Sequence, residues 1–281
     1  MPRRVFCLLW LIGPLLLQGQ AVLYMTSGSG DLSKLYAVDP LTAQSTLIGD
    51  VLIGTTPVTV TGLAFQPGTG ILFGVTGSEY SPSRVLITID LLTAQAVVIG
   101  TVGTIRQENA SDLSFAADGT LYGWNVRGGP LLTIDPSTAA RTAIGSALND
   151  NGGNGLAFTP GGTLYLAGPT APGDLYTMNT TTGAITSVAT LTNVPLNFGD
   201  INAMASDANG LLYVTGRGNT GQLVNINPST GFMTSVGTLS FTTADALAFQ
   251  VTPIPEPSTV ALILLGLGLT GIMYRRPKIQ H

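Results

Sequence analysis

The sequence predicts an all-β fold, a five-bladed β-propeller over residues 22–251, closed by pairing its first strand with its last. Three observations predict it. One hairpin pattern recurs five times, a second hairpin alternates with it, and each end of the repeat lacks the half that the other end supplies.

The first hairpin is clearest at Leu35-Tyr-Ala-Val-Asp39-Pro-Leu-Thr42. It returns at Leu86 to Thr93, Leu131 to Thr138, Leu175 to Thr182 and Leu223 to Thr230, with Asp90, Asp135, Asn179 and Asn227 in the place of Asp39. The spacings between these residues are 51, 45, 44 and 48. A second apolar segment follows each, often ending in glycine, as in Ser45-Thr-Leu-Ile-Gly49 and Ala96-Val-Val-Ile-Gly100. An Asp or Asn at the turn can accept from backbone N–H groups two and three residues on, and proline presets the first turn dihedral. These five residues are therefore expected to build turns.

The second hairpin pairs Leu63-Ala-Phe65 with Ile71-Leu-Phe73, Leu113-Ser-Phe115 with Leu121-Tyr122, and Leu156-Ala-Phe158 with Leu164-Tyr165. Ala203-Met-Ala205 with Leu212-Tyr213 continues the series. Leu247-Ala-Phe249 then stands without a partner, and so does Val22-Leu-Tyr24-Met25 at the other end. The two orphans complete each other and make a ring, whose closure hides two strand edges. A straight solenoid would not explain why each end lacks what the other supplies. The Leu-x-Phe strands are expected innermost, with Tyr24, Phe73, Tyr122, Tyr165 and Tyr213 as one aligned column on the strand beside them.

A small or polar residue precedes each inner strand: Gly62, Asp112, Gly155, Asn202 and Asp245. These five are expected to ring the mouth of the central channel. Asp112, Asn202 and Asp245, with Glu108 in a neighbouring loop, are the candidate ligand-binding residues; the first three could ligate Ca²⁺ or bind sugar hydroxyls. They could equally cap strand entrances or satisfy loop amides. No Asp-x-Asp-x-Asp calcium loop and no Gly-rich phosphate loop with a following Lys occurs, so no metal site or cofactor is assigned. Trp124 could stack on a sugar ring or pack between blades.

The flanks read differently. Met1-Pro-Arg-Arg4, an apolar stretch from Val5 to Leu17, and small residues at Gly19 and Ala21 read as a signal peptide, residues 1–21, cut after Ala21 by signal peptidase. Residues 252–281 hold Pro255-Glu256-Pro257-Ser258, an uncharged apolar run, then Arg275, Arg276 and Lys278. As a helix, residues 258–274 would reach roughly 26 Å, at the short end of what spans a bilayer core. The basic stop would stay on the cytoplasmic side, which puts the body across the membrane. The prolines forbid helix at the signature and hold it extended.

Charge and composition narrow the chemistry. The one cysteine, Cys7, lies in the leader, and the one histidine, His281, lies beyond the apolar run. A body without either cannot build a Ser-His-Asp triad, a Cys-His pair or an ordinary zinc site. From Val22 to Gln250 one Lys and five Arg stand against twelve Asp and two Glu, a net charge of −8. Nucleic acid is therefore not an expected partner.

The tail resembles the PEP-CTERM sorting signal: Ile254-Pro-Glu-Pro-Ser258, an apolar helix, and Arg275-Arg276. An uncleaved C-terminal anchor would share the helix and basic stop but not the Pro-Glu-Pro lead-in. The resemblance implies export in a Gram-negative bacterium and cleavage at the signature by exosortase, a membrane cysteine transpeptidase. It also implies a precursor anchored in the inner membrane, then a place on the cell surface or in the extracellular matrix. The expected function is that of a noncatalytic binding or scaffold propeller associated with exopolysaccharide or surface proteins. The alternative is a glycosidase or calcium-dependent, lactonase-like hydrolase. A glycosidase would need two carboxyls about 5 to 9.5 Å apart, for which Glu79 and Glu108, near Asp112, are the loop candidates.

Overall fold

A computed structural model describes residues 21–28, 32–78, 80–103, 110–125, 129–146, 155–168, 173–217 and 221–250. The expected signal peptide, sorting signature, apolar helix and basic stop lie outside these residues, apart from Ala21. Among the described residues no helix is long and apolar enough to cross a membrane.

Five antiparallel blades make up the body. Blade 1 runs, from the axis outward, β22 (Ala244–Gln250), β1 (Val22–Ser27), β2 (Lys34–Val38) and β3 (Ser45–Asp50). Blade 2 runs β6 (Val60–Phe65), β7 (Leu72–Thr76), β8 (Val85–Ile89) and β9 (Gln95–Thr101). Blade 3 is β10 (Asp112–Phe115), β11 (Leu121–Trp124), β12 (Leu131–Ile134) and β13 (Arg141–Ile144). Blade 4 is β14 (Gly155–Phe158), β15 (Leu164–Ala167), β16 (Asp174–Met178) and β17 (Ile185–Thr190). Blade 5 is β18 (Ile201–Ser206), β19 (Leu212–Gly216), β20 (Gln222–Ile226) and β21 (Met233–Thr238). The inner strands neighbour one another in the cycle β22, β6, β10, β14, β18 and back to β22. The ring closes as expected: Leu23 pairs with Phe249, Tyr24 with Ala248 and Met25 with Leu247.

Apolar side chains collect between blades, in five clusters for five interfaces. Tyr24, Leu63 and Leu72 join blades 1 and 2; Phe73, Leu113 and Phe115 join 2 and 3; Trp124, Leu131 and Leu156 join 3 and 4. Phe198, Met204 and Leu212 join 4 and 5; Leu23, Leu223 and Leu247 join 5 and 1. Each fully buried Leu contributes about 1.5–3 kcal/mol, so every interface holds the ring on its own account. Trp124 is fully buried here and faces no solvent.

The recurring aromatic column has a clear use. Tyr24 meets Phe65 edge-on at 5.4 Å, Phe73 meets Phe115 at 5.3 Å, Tyr122 meets Phe158 at 5.2 Å and Tyr213 meets Phe249 at 4.9 Å. Each pair ties the second strand of one blade to the inner strand of the next. Tyr165 lacks such a partner, because Ser206 occupies the corresponding place in blade 5. The inner strand of blade 5 is thus Met204-Ala205-Ser206, one residue later than the expected Ala203-Met-Ala205. Both triplets fit the motif, and only the pairing of Met204 with Val214 separates them.

The outer turns behave as expected. Asp39 Oδ1 accepts from Leu41 N, Asp90 Oδ1 from Leu92 N and Thr93 N, and Asp135 Oδ1 from Ser137 N. Asn179 and Asn227 accept in the same way from Thr181 N and Ser229 N. Each turn ends in the left-handed region, at Ala43, Ala94, Ala139, Gly183 and Gly231. That small residue faces the glycine or alanine of the preceding blade's outer strand. A Cβ added at Gly100, for example, would sit 3.1 Å from Ala139 Cβ and 2.5 Å from Thr138 O. The glycines that end the second apolar segments are contact points between blades.

One element was not legible in the repeat. The connection into blade 2 forms a small hairpin, β4 (Leu52–Ile53) with β5 (Thr56–Pro57), and β4 pairs in parallel with β9. The connection into blade 5 makes a similar parallel bridge, Thr192 to Phe232. Both cover outer strand edges that would otherwise present unpaired backbone groups.

Candidate functional site

The inner strand of a propeller has a sheet partner on one side only, so its other edge needs acceptors and donors from elsewhere. At the axis these come from a few polar side chains. The predicted ring of five splits into two levels. Gly62, Asp112 and Gly155 align with Ala203 and Ala246, while Asn202 and Asp245 lie one residue earlier, in line with Thr61. The offset arises because Thr61, Asn202 and Asp245 are each the extra residue of a β-bulge, which re-aims a side chain. Counting back from the apolar motif cannot register a bulge.

In the deeper level, four blades carry Gly or Ala and one carries Asp112. Inner strands approach so closely here that a Cβ at Gly62 would lie 2.8 Å from Asp112 Cα, and one at Gly155 2.6 Å from Met204 Cβ. Asp112 is fully buried. Its Oδ1 accepts from Leu113 N and its Oδ2 from Leu156 N, both at 2.8 Å, and Met204 N also donates to it. One carboxylate thus satisfies amides from blades 3, 4 and 5. Burial pushes its carboxyl well above the usual range, and the three amides offset only part of that rise. Next along, Ser114 Oγ accepts from Phe158 N at 2.9 Å.

At the mouth level, Asn202 Nδ2 donates to Asp245 Oδ1 at 2.7 Å and to Ala244 O at 2.8 Å. Arg217 Nε donates to Asn202 Oδ1 at 2.7 Å. Asn202 and Asp245 are almost fully buried, whereas Arg217 is exposed. Thr61 Oγ1 is buried and has no hydrogen-bond partner among the described residues. Of the predicted residues, then, the structure joins Asn202 to Asp245 and commits Asp112 separately to backbone amides. Glu108 lies outside the described residues, as does Glu79. Among the described residues no three His, Cys, Asp or Glu side chains converge to hold a metal ion.

Sequence reasoning missed Arg217. Its signal appears once the blades are aligned by pairing: blades 1 and 2 have Gly28 and Gly77 at this place. The backbone bond is the same in all three, from Gly28 N to Thr243 O, Gly77 N to Thr59 O and Arg217 N to Asp200 O.

Comparison with solved structures finds the following similarities. The body is similar to a chain of the crystal structure of a nidogen/laminin complex, with a TM-score of 0.53 and 14% identity over 82% of this chain and 98% of that one. A protein of unknown function from Bacteroides caccae matches with a TM-score of 0.49 and 12% identity, over 82% of this chain and 99% of its own. A gluconolactonase from Xanthomonas campestris gives a TM-score of 0.48 and 17% identity, over 79% and 77%. At 14% identity the likeness to the nidogen/laminin chain concerns the fold alone. No curated protein matches the chain. Residues 253–276 match the PEP-CTERM protein-sorting motif, and the chain is accordingly an exported propeller protein sorted by exosortase through its C-terminal tail.

Proposed function

We propose that this is a noncatalytic surface or extracellular-matrix protein whose propeller serves as a binding scaffold for exopolysaccharide. The observation that carries the reading is the sorting motif at residues 253–276, joined to a closed propeller. The state of the axial groups supports it. Asp112, the carboxylate most perturbed by burial, already accepts from three backbone amides, which leaves it poorly placed to act as a nucleophile or base. Signal peptidase releases the body after Ala21, and exosortase acts at Pro255 to Ser258, with Arg275, Arg276 and Lys278 as the cytoplasmic stop.

Intact mass of the protein from membrane, surface and medium fractions of its host tests the route. The expected mature form starts at Val22 and ends near the Pro-Glu-Pro signature. A surface form that keeps Val260 to His281 would reduce the tail to an anchor. Co-sedimentation with the host's own exopolysaccharide tests the binding role, and a protein left wholly in the supernatant would refute it.

A further inference from the structure

We propose that Arg217 is the recognition residue of an anion-binding site at the axial mouth, and that its ligand is a carboxylate-bearing saccharide. This deepens the binding reading above and rests on it. The side chain is held at both ends. Its backbone N–H donates to Asp200 O at 2.8 Å, and Gly216 beside it lies so close to the Phe198 carbonyl that no Cβ would fit. Its Nε is fixed on Asn202, whose amide is fixed in turn by Asp245 and Ala244 O. The two terminal nitrogens of an exposed guanidinium remain, in the geometry that takes a carboxylate bidentately.

The fold does not need an arginine there. Blades 1 and 2 make the same backbone bond with glycine. Fixing an arginine side chain opposes its rotamer entropy, and no ion pair among the described residues offsets that loss. Among the described residues the one ion pair is Lys34 with Asp50, although the body carries a net charge of −8. A positioned cation with no ion-pair partner among the described residues is a receptor for an anion from outside.

The neighbours choose the kind of anion. Asp200, exposed beside Arg217, carries a carboxylate that accepts hydrogen bonds. A uronic acid brings hydroxyl donors alongside its carboxylate. An acidic peptide side chain brings acceptors only, which Asp200 repels.

Isothermal titration of the full chain in detergent micelles tests this, with three probes: oligogalacturonate, its carboxyl-reduced oligomer and polyglutamate. Oligogalacturonate should bind. Its affinity should fall about tenfold or more in Arg217→Gln and less in Arg217→Lys, and it should rise in Asp200→Asn. The carboxyl-reduced oligomer should bind about tenfold more weakly than its parent. Matching thermal unfolding of the variants shows that the loss is local. No binding of oligogalacturonate, equal affinity in Arg217→Gln, or polyglutamate binding as tightly each overturns the proposal. If host exopolysaccharide binds Arg217→Gln as it binds the parent, this site fails while the scaffold reading stands.

Discussion

The outer hairpins and the axial ring are built from the same five repeats, yet they treat repetition in opposite ways. Outside, the device is the same in every blade: an Asp or Asn caps the turn, a small left-handed residue ends it, and a Gly or Ala of the preceding blade receives it. At the axis the blades differ from one another in the residues they present. One level has Gly62, Asp112, Gly155, Ala203 and Ala246, and the bulged level above it includes Thr61, Asn202 and Asp245. The difference is geometric. Outer contacts are made between neighbours and can be repeated, whereas the axis is a single shared volume in which one Asp112 excludes a second. Symmetry must break where five blades meet, and a specific ligand can be read only from a broken symmetry.

The comparison can be broken most sharply at Asp112. Asp112→Ala leaves the amides of Leu113, Leu156 and Met204 without that acceptor, and urea unfolding should register a loss of roughly 3 kcal/mol or more. Loss of a single outer cap, in Asp39→Ala, should destabilise by only about 1 kcal/mol. Equal effects would mean that the axis is no more committed than the rim. Asp112→Asn should also destabilise, because its amide would turn a donor toward a backbone N–H.

Next in size is Gly100→Ala, whose new Cβ would meet Thr138 O at 2.5 Å and should lower stability by about 1–3 kcal/mol. A neutral result would show that blades can slide apart at the rim. Ser206→Phe sharpens the comparison from the other side. It supplies the aromatic that Tyr165 lacks and should raise the melting temperature through a gain of about 1 kcal/mol. No gain would mean that blade 5 has already closed the space.

The smallest effect is one of pH, and its sign differs between the two regions. The hydroxyls of Thr93 and Ser137, with nearby amides, hold Asp90 and Asp135 below the ordinary value of 3.8. Their stabilisation is present above that value and is lost as pH falls through the folded-state pKa. Asp112 is raised by burial, so its contribution is full below 3.8 and is lost as pH rises through its folded-state value. The double variant Asp90→Asn, Asp135→Asn should match the parent in urea at neutral pH and exceed it at about pH 3. Asn179 and Asn227 already fill the same turns without a proton to gain. An unchanged acid midpoint would remove the turns from the pH response.

Much of the fold was legible because its signals are local. The Leu-x-Phe strands, the Asp or Asn turns and the complementary orphans at Val22 and Leu247 each need only a short window. The axial register was not, since Ala203-Met-Ala205 and Met204-Ala205-Ser206 are equally good fits to one motif. Pairing partners settle that choice, and bulges at Thr61, Asn202 and Asp245 then shift the mouth by one residue. Trp124 shows the same limit: both burial and exposure were open until blades 3 and 4 closed over it.

By itself, the sequence determined the repeat, the number of blades, the closure and the sorting tail, because periodicity and turn chemistry are properties of neighbouring residues. Only the tertiary structure decided that Asp112 is held by amides of three blades and that Asn202 clasps Asp245. It also decided that Arg217 is anchored at the mouth. Those groups come from strands far apart in the chain, and which of them share the axis depends on how five twisted blades pack.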